Sequence, residues 1–186
     1  MTNGNENQVE KLLRAIEDRD YVGLKRLSND FIERAAMEED ENLVDLSLIA
    51  YALYKMLSKI HLREQPEWAE FLRDVELHLE EAAKDPSKAS VRVILEQDIL
   101  TDISELNKTF GNYVSDVVDM ARIKQASRIY ALGNSLAEAL ALTHADRYQV
   151  LQYIGDTRIH DRPFTSTVSV VDRYRMAKKA LGGERE

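Results

Sequence analysis

Residues 42–60 read NLVDLSLIAYALYKMLSKI, and this stretch decides the fold. Its apolar residues recur three or four positions apart, the spacing that places side chains on one face of an α-helix. The stripe consists of Leu43, Leu46, Ala50, Leu53, Leu57 and Ile60, with Tyr51 and Tyr54 beside it. The stretch therefore predicts a helix whose apolar face lies in the core of a helical bundle.

Further amphipathic helices are predicted on both sides of this central helix. Before it, Val9–Asp18 forms a first helix and Asp20 caps a second one, which the acidic run Glu38–Glu41 ends. After it, Pro66 suits the first turn of a fourth helix. Together these helices predict an acidic N-terminal bundle over residues 1–84.

The helical pattern resumes at Asp85-Pro86, a cap followed by proline, and continues to residue 132. One long helix, or two helices joined near residues 107–111, would fit this pattern. From Ile99 the spacing is typical of a coiled-coil seam, which would bury against another helix of this chain or of a partner subunit. Residues 85–132 are therefore predicted to form long connecting helices.

The composition supports an all-α fold. Hydrophobic residues make up 44% of the 186 residues and charged residues 31%, with only 7 Gly and 3 Pro, so disorder and a loop-rich all-β chain are not expected. The absence of cysteine excludes disulfides, zinc fingers and thiolate nucleophiles, and makes the cytoplasm the expected location. No apolar run approaches the roughly 20 residues of a membrane span.

The net charge of −8 is unevenly distributed along the chain. Residues 1–116 hold 14 Lys and Arg against 25 Asp and Glu, a balance of −11, whereas residues 117–186 hold 11 against 8, a balance of +3. The acidic part disfavours contact with nucleic acid, and the mildly basic part permits a phosphate contact. The charge distribution therefore permits a nucleic-acid contact in the C-terminal part without requiring one.

Residues 133–155 read GNSLAEALALTHADRYQVLQYIG and predict two short helices about a tight turn. Ser135 and Glu138 form a capping box that starts the first helix. The turn is Thr143–Asp146, and Asp146 can cap the second helix. This arrangement is the helix-turn-helix plan.

The remaining C-terminal residues predict an arm and a last helix. Thr165–Val171 has the β-branched residues of a short strand or extended arm. Asp172–Leu181 reads as a helix that ends at a pair of glycines. Residues 133–186 are therefore predicted to be a helix-turn-helix-like unit with this arm and helix.

The segment that begins at Ser135 and Leu136 resembles the helix-turn-helix of prokaryotic DNA-binding proteins. The likeness is to short antitoxin-like regulators, whose segment reads roughly S-L-x-x-A-A-x-x-T-G-V-x-x-x-x-x-x-x-I. Ala139 stands where a small residue lets two helices cross closely, and His144 replaces the usual turn glycine, which must often adopt a positive φ. The chain as a whole looks similar to an uncharacterised archaeal helical family, which implies no function.

The resemblance to antitoxin-like regulators implies a DNA-binding surface on the second helix, which would lie in the major groove. The residues facing DNA would be Arg147, Tyr148, Gln149 and Gln152. Glutamine can bond an adenine edge, and an arginine at the helix start could reach guanine or phosphate. Backbone contacts would come from flanking cations, namely Arg122, Lys124, Arg128, Arg158 and Arg162.

A second resemblance concerns Arg73 and His78, which match the R-polar-x-x-x-H motif of HEPN-type helical ribonucleases. His could act as a general base on a ribose hydroxyl, and Arg could stabilise the developing phosphate charge. Five positions on a regular helix rotate by about 140°, so both side chains share a face only in a distorted helix or across a dimer. The acidic neighbours Glu76, Glu80 and Glu81 would also repel RNA.

The sequence thus predicts a non-enzymatic DNA-binding or antitoxin-like regulator whose acidic bundle mediates homo-oligomerisation or binds a protein partner. An interaction scaffold that does not bind nucleic acid and a HEPN-like ribonuclease are the alternatives. No catalytic residue, metal or cofactor is expected, because the nucleotide-binding, hydrolase and zinc-protease motifs are absent. His160-Asp161 alone does not supply the ligands of a metal site.

Overall fold

The computed structural model describes residues 7–84, 88–109 and 117–160. The helices are α1 (Gln8–Glu17), α2 (Tyr21–Glu38), α3 (Glu41–Leu57), α4 (Ile60–Arg63), α5 (Pro66–Lys84), α6 (Lys88–Val93), a π-helical turn (Ile94–Ile99), α7 (Leu100–Thr109), α8 (Val117–Ala131), α9 (Leu136–Thr143) and α10 (Arg147–His160). These described ranges contain no β-strand, and the prediction of an all-α helical bundle is confirmed. The predicted arm at residues 165–171 and helix at residues 172–181 lie outside them.

The central helix α3 is buried on all sides. Every side chain from Leu43 to Leu53 is buried, which is the pattern of a helix inside a core rather than on its surface. The helices α1, α2, α8 and α9 and the π-helical turn all pack against it. The stretch that predicts a bundle-core helix therefore forms the axis of the fold.

The end of α3 differs from the sequence prediction, which placed Ile60 on the buried stripe. The helix ends at Leu57, where the Ser58 hydroxyl donates a 2.7 Å hydrogen bond to the carbonyl of Lys55. Lys59 is extended, and Ile60 begins α4 with 62% of its surface exposed. A local hydrogen bond thus turns the chain out of the core before the apolar pattern ends.

The predicted caps of the N-terminal helices are confirmed. Asp20 Oδ1 accepts a 2.8 Å hydrogen bond from the Gly23 amide at the start of α2. The acidic run ends α2, since Glu39 takes a left-handed conformation with φ 52° as its C-cap. Pro66 is the first residue of α5, as its fixed φ favours.

Residues 88–109 form a continuous helical run that contains the π-helical turn. Ile99, Ile103 and Leu106 are buried within the chain, so the seam predicted from Ile99 buries against neighbouring helices of the same molecule. The helices α7 and α8 pack against each other, which identifies two helices rather than one. The predicted start at residues 85 and 86 lies outside the described residues.

Described residues up to Tyr153 belong to one compact unit, and the described residues 154–160 belong to a second. Within the first unit, α8 packs on α2 and α3, and α9 packs on α8 and α3. Helices from all three predicted segments therefore share one core. In the described part of the chain, no helix has both the length and the apolar character needed to cross a bilayer.

Candidate nucleic-acid interface

The helix α9 begins with the capping box that the sequence predicts. The Glu138 amide donates to Ser135 Oγ at 3.2 Å, and the Ser135 amide donates to Glu138 Oε2 at 2.7 Å. The hydrogen bond from the Ser135 backbone is the main reason that the pKa of Glu138 is lowered. This reciprocal bonding fixes the first turn of α9.

The turn between α9 and α10 has the geometry that the sequence requires of it. His144 adopts φ 53° and ψ 30° and donates its amide to Leu140 O at 2.9 Å, which ends α9 in a left-handed cap. Asp146 Oδ1 accepts a 2.9 Å hydrogen bond from the Gln149 amide and so caps α10. Three residues therefore reverse the chain, with both helix ends hydrogen-bonded.

The predicted DNA-facing residues of α10 are all exposed. Val150, in contrast, is fully buried. The four exposed residues are Arg147, Tyr148, Gln149 and Gln152. Tyr148 and Gln152 are four positions apart and lie one above the other on the side opposite Val150. Tyr148 and Gln152 therefore lie together on the outer side of α10, whereas Arg147 and Gln149 are exposed on its two flanks.

Two of the predicted backbone-contacting cations also form hydrogen bonds between helices of the bundle. Arg122 Nη1 donates to Thr143 O at 3.3 Å and ties α8 to the end of α9. Arg128 Nη1 donates to Asn29 Oδ1 at 2.9 Å, and its Nη2 pairs with Glu33 on α2. These bonds join α8 to the end of α9 and to α2, and the prediction that both arginines contact a DNA backbone stays a prediction. The side chain of Arg158 and all of Arg162 lie outside the described residues.

Lys124, the third predicted cation of α8, has a different environment. Its Nζ lies 4.5 Å from the centre of the Tyr51 ring, a distance typical of a cation–π contact. Burial lowers its pKa, and the positive charges of Lys55, Lys25 and Arg128 lower it further. Lys124 therefore belongs to a group of cations that the sequence analysis did not find.

Lys25 and Lys55 were not predicted as site residues, because both lie in the acidic part of the chain. The only sequence signal was the spacing of Tyr51 and Lys55, which are four positions apart and thus neighbours on one helix face. The approach of Lys25 from α2 and of Lys124 from α8 depends on how the helices pack. Periodicity shows that a helix is amphipathic, but it does not show which neighbour each face meets.

The residues of the ribonuclease-like motif are not brought together. Arg73 is exposed on α5, whereas His78 lies beside α7, with its Nδ1 3.7 Å from Asp102 Oδ2. No described hydrogen bond or ion pair joins Arg73 to His78. Burial raises the pKa of Asp102, and the adjacent imidazole lowers it. Within this chain the motif places His78 at a helix contact rather than in a cleft shared with Arg73.

A buried carboxyl group, also missed by sequence reasoning, lies in the middle of α3. Asp45 is only 8% exposed, and its Oδ2 has no hydrogen-bond partner among the described residues. Burial is the main cause that raises the pKa of Asp45 to about 7; the negative charge of Glu96 adds to this, while Arg92 and Arg122 oppose it. An aspartate within an apolar run was the available sequence signal of a buried carboxyl group. The sequence does not show that one of its oxygens lacks a hydrogen-bond partner.

Comparison of the chain with protein-family models, with curated proteins and with solved structures finds no match in any of the three.

Proposed function

We propose that this protein is a cytoplasmic, non-enzymatic DNA-binding regulator of the antitoxin-like kind, and that α10 enters the major groove. The observation that carries the proposal is the outer side of α10, where Tyr148, Gln149 and Gln152 are exposed beside Arg147. Glutamine and arginine are the side chains that read adenine and guanine edges through paired hydrogen bonds. The hydrogen-bonded caps define where α10 begins, and Val150 is its buried residue beside this surface.

The acidic helical bundle would supply the surface for self-association in this proposal. DNA-binding helix-turn-helix proteins commonly act as dimers, because two recognition helices one DNA turn apart double the contact with the duplex. We therefore propose a homodimer. Light scattering of the full chain, with and without bound duplex, measures the mass of the assembly and tests this part separately.

Fluorescence anisotropy with the full chain and a labelled 30-base-pair duplex of random sequence tests DNA binding. Binding at about 50 mM salt should weaken steeply as salt is raised, because counterions are released from the phosphates. Arg147→Ala should reduce the affinity and lower the salt slope by about one if this side chain contacts a phosphate. Arg14→Ala is the matched control, since Arg14 is an exposed arginine on α1.

Gln149→Ala tests base recognition. The parent protein is first used to select duplexes from a random pool. The variant should bind the selected duplexes no more tightly than non-selected ones, while the salt slope stays the same. A parent protein that binds no duplex at about 50 mM salt overturns the DNA-binding function. Loss of binding in Arg14→Ala and Arg147→Ala alike would show that α10 is not the interface.

An interaction scaffold is the second candidate function, and one feature of α10 favours it. Leu151 is 47% exposed and Tyr148 is 75% exposed on this helix, and exposed apolar and aromatic side chains are common at protein interfaces. Under this alternative, Leu151→Glu would change the sedimentation of the assembly or abolish capture of a partner. Under the DNA-binding proposal, the same substitution would mainly weaken duplex binding.

A further inference from the structure

Three lysines from three helices surround two tyrosine rings on the first unit. Lys25 Nζ of α2 lies 5.7 Å from the centre of the Tyr54 ring. Lys55 Nζ of α3 lies 5.7 Å from the Tyr51 ring and 5.8 Å from the Tyr54 ring. Lys124 of α8 covers Tyr51 at 4.5 Å. We refer to these five residues as the lysine–tyrosine cluster.

The positive charge of this cluster is not neutralised by the protein. Among the described residues, no carboxylate forms an ion pair with Lys25, Lys55 or Lys124, although the chain carries a net charge of −8. In contrast, Lys84 pairs with Glu80 at 3.3 Å on α5. Three neighbouring lysines without a paired carboxylate destabilise the folded protein, because like charges repel one another.

The tyrosine rings explain how the lysines are held in place. The negative face of an aromatic ring attracts an ammonium group. Tyr51 is buried and Tyr54 is half-buried, so the rings are packed and leave little surface for a stacked base. The free N–H donors of the lysines therefore remain as the groups that can bind a ligand.

We propose that the lysine–tyrosine cluster is a phosphate-binding site that holds the backbone of the same DNA that α10 contacts. The proposal rests on the proposed function and assigns it a second contact. Three N–H donors on each ammonium group can bind phosphate oxygens, and a phosphate would neutralise the repulsion among the lysines. Lysine contacts of this kind hold a protein in position on the duplex without reading sequence.

The position of Tyr153 supports a shared ligand. Burial is the main cause that raises the pKa of Tyr51 to about 12, and the nearby phenol groups of Tyr153 and Tyr54 raise it further. Tyr153 follows Gln152 directly on α10 and lies four positions after Gln149, on the same side of the helix. A ligand that contacts Gln149 would therefore meet the side of α10 that carries Tyr153.

The test measures duplex binding by the full chain with Lys25 and Lys55 both replaced by Gln. Both side chains are exposed on helices, so the fold should be retained, which circular dichroism checks. The matched control replaces Lys11 and Lys84 by Gln, which changes the net charge equally at sites away from the cluster. Anisotropy is recorded for a 30-base-pair duplex between about 50 and 200 mM salt.

The cluster variant should show a salt slope lower by about two, and an affinity lower by roughly tenfold per lysine at 50 mM salt. The control variant should keep the slope of the parent. Equal losses in the two variants would overturn the proposal, because affinity would then depend on net charge alone. An unchanged slope in the cluster variant would overturn it as well.

Two further measurements separate this proposal from the function on which it rests. Arg147→Ala and Gln149→Ala with the affinity and slope of the parent, together with a reduced slope in the cluster variant, would reject α10 as the interface and retain the phosphate site. Polyglutamate is the second probe. If the parent binds polyglutamate but no duplex, and the cluster variant binds polyglutamate less tightly, the phosphate proposal fails. The ligand of the cluster would then be an acidic protein.

Discussion

The side-chain amide of Gln125 donates a 2.7 Å hydrogen bond to the Ser28 hydroxyl in the buried core, and this bond joins α8 to α2. Ser28 Oγ in turn donates to the carbonyl of Ser47 at 3.0 Å, and Ser47 Oγ donates to the carbonyl of Ser28 at 2.7 Å. Gln125 Oε1 is buried without a hydrogen-bond partner among the described residues. The network is therefore incomplete at one end.

Ser28→Ala should lower the free energy of unfolding by about 1–3 kcal/mol, because it leaves the buried Gln125 amide without its acceptor. Gln125→Met should cost less or stabilise the protein, since it removes the orphaned carbonyl while Ser28 keeps its bond to Ser47. Urea denaturation at 25 °C measures both values. A larger loss in Gln125→Met than in Ser28→Ala would contradict this account of the network.

His144→Gly should raise the free energy of unfolding by about 0.5–1 kcal/mol. His144 is exposed and has φ 53°, and glycine reaches this conformation without the steric cost that a Cβ atom imposes. His144→Val is the matched control and should destabilise the protein, because a branched side chain is least suited to a positive φ. Thermal unfolding followed by circular dichroism compares them, and a higher midpoint for His144→Val would refute the prediction.

The stability of the protein should fall as the pH rises from about 4 to 7 because of Asp45. Its ordinary pKa of 3.8 is raised to about 7 in the folded state, so over this range the folded protein binds more protons than the unfolded chain. The free energy of unfolding then decreases with pH, by about 4 kcal/mol for a shift of this size. Asp45→Asn should remove this slope in urea titrations at successive pH values. An identical slope in the variant would show that Asp45 is ionised in the core throughout this range.

The predictable parts of this structure are those that depend on neighbours in sequence. Ser135 and Asp146 cap the helices that they precede, and His144 takes the positive φ that its position in the turn demands. The bonds of Arg122 to Thr143 and of Arg128 to Asn29 could not be predicted, because these acceptors are distant in sequence. Local hydrogen bonds can be inferred from spacing, whereas contacts between helices require the packed structure.

Lys124→Met should change stability and DNA binding in opposite directions. Burial and the charges of Lys55 and Lys25 lower the pKa of Lys124 below its ordinary value of 10.5, so the charged form is less stable in the folded protein than in the unfolded chain. Methionine keeps the length of the side chain and removes the charge, and it should raise the melting temperature at pH 7. The parent should also gain stability as the pH rises towards 10.5, and the variant should lack this gain from Lys124.

The same substitution should weaken duplex binding and lower the salt slope by about one, since it removes one phosphate contact. A residue that costs stability but contributes to binding shows the trade-off expected at a functional site. Lys84→Met is the control: Lys84 pairs with Glu80 on the surface, so its loss should neither raise the melting temperature nor change the slope. If Lys124→Met lowers the melting temperature, the contact with Tyr51 outweighs the repulsion among the lysines. The cluster would then be a structural element rather than a binding site that reduces stability.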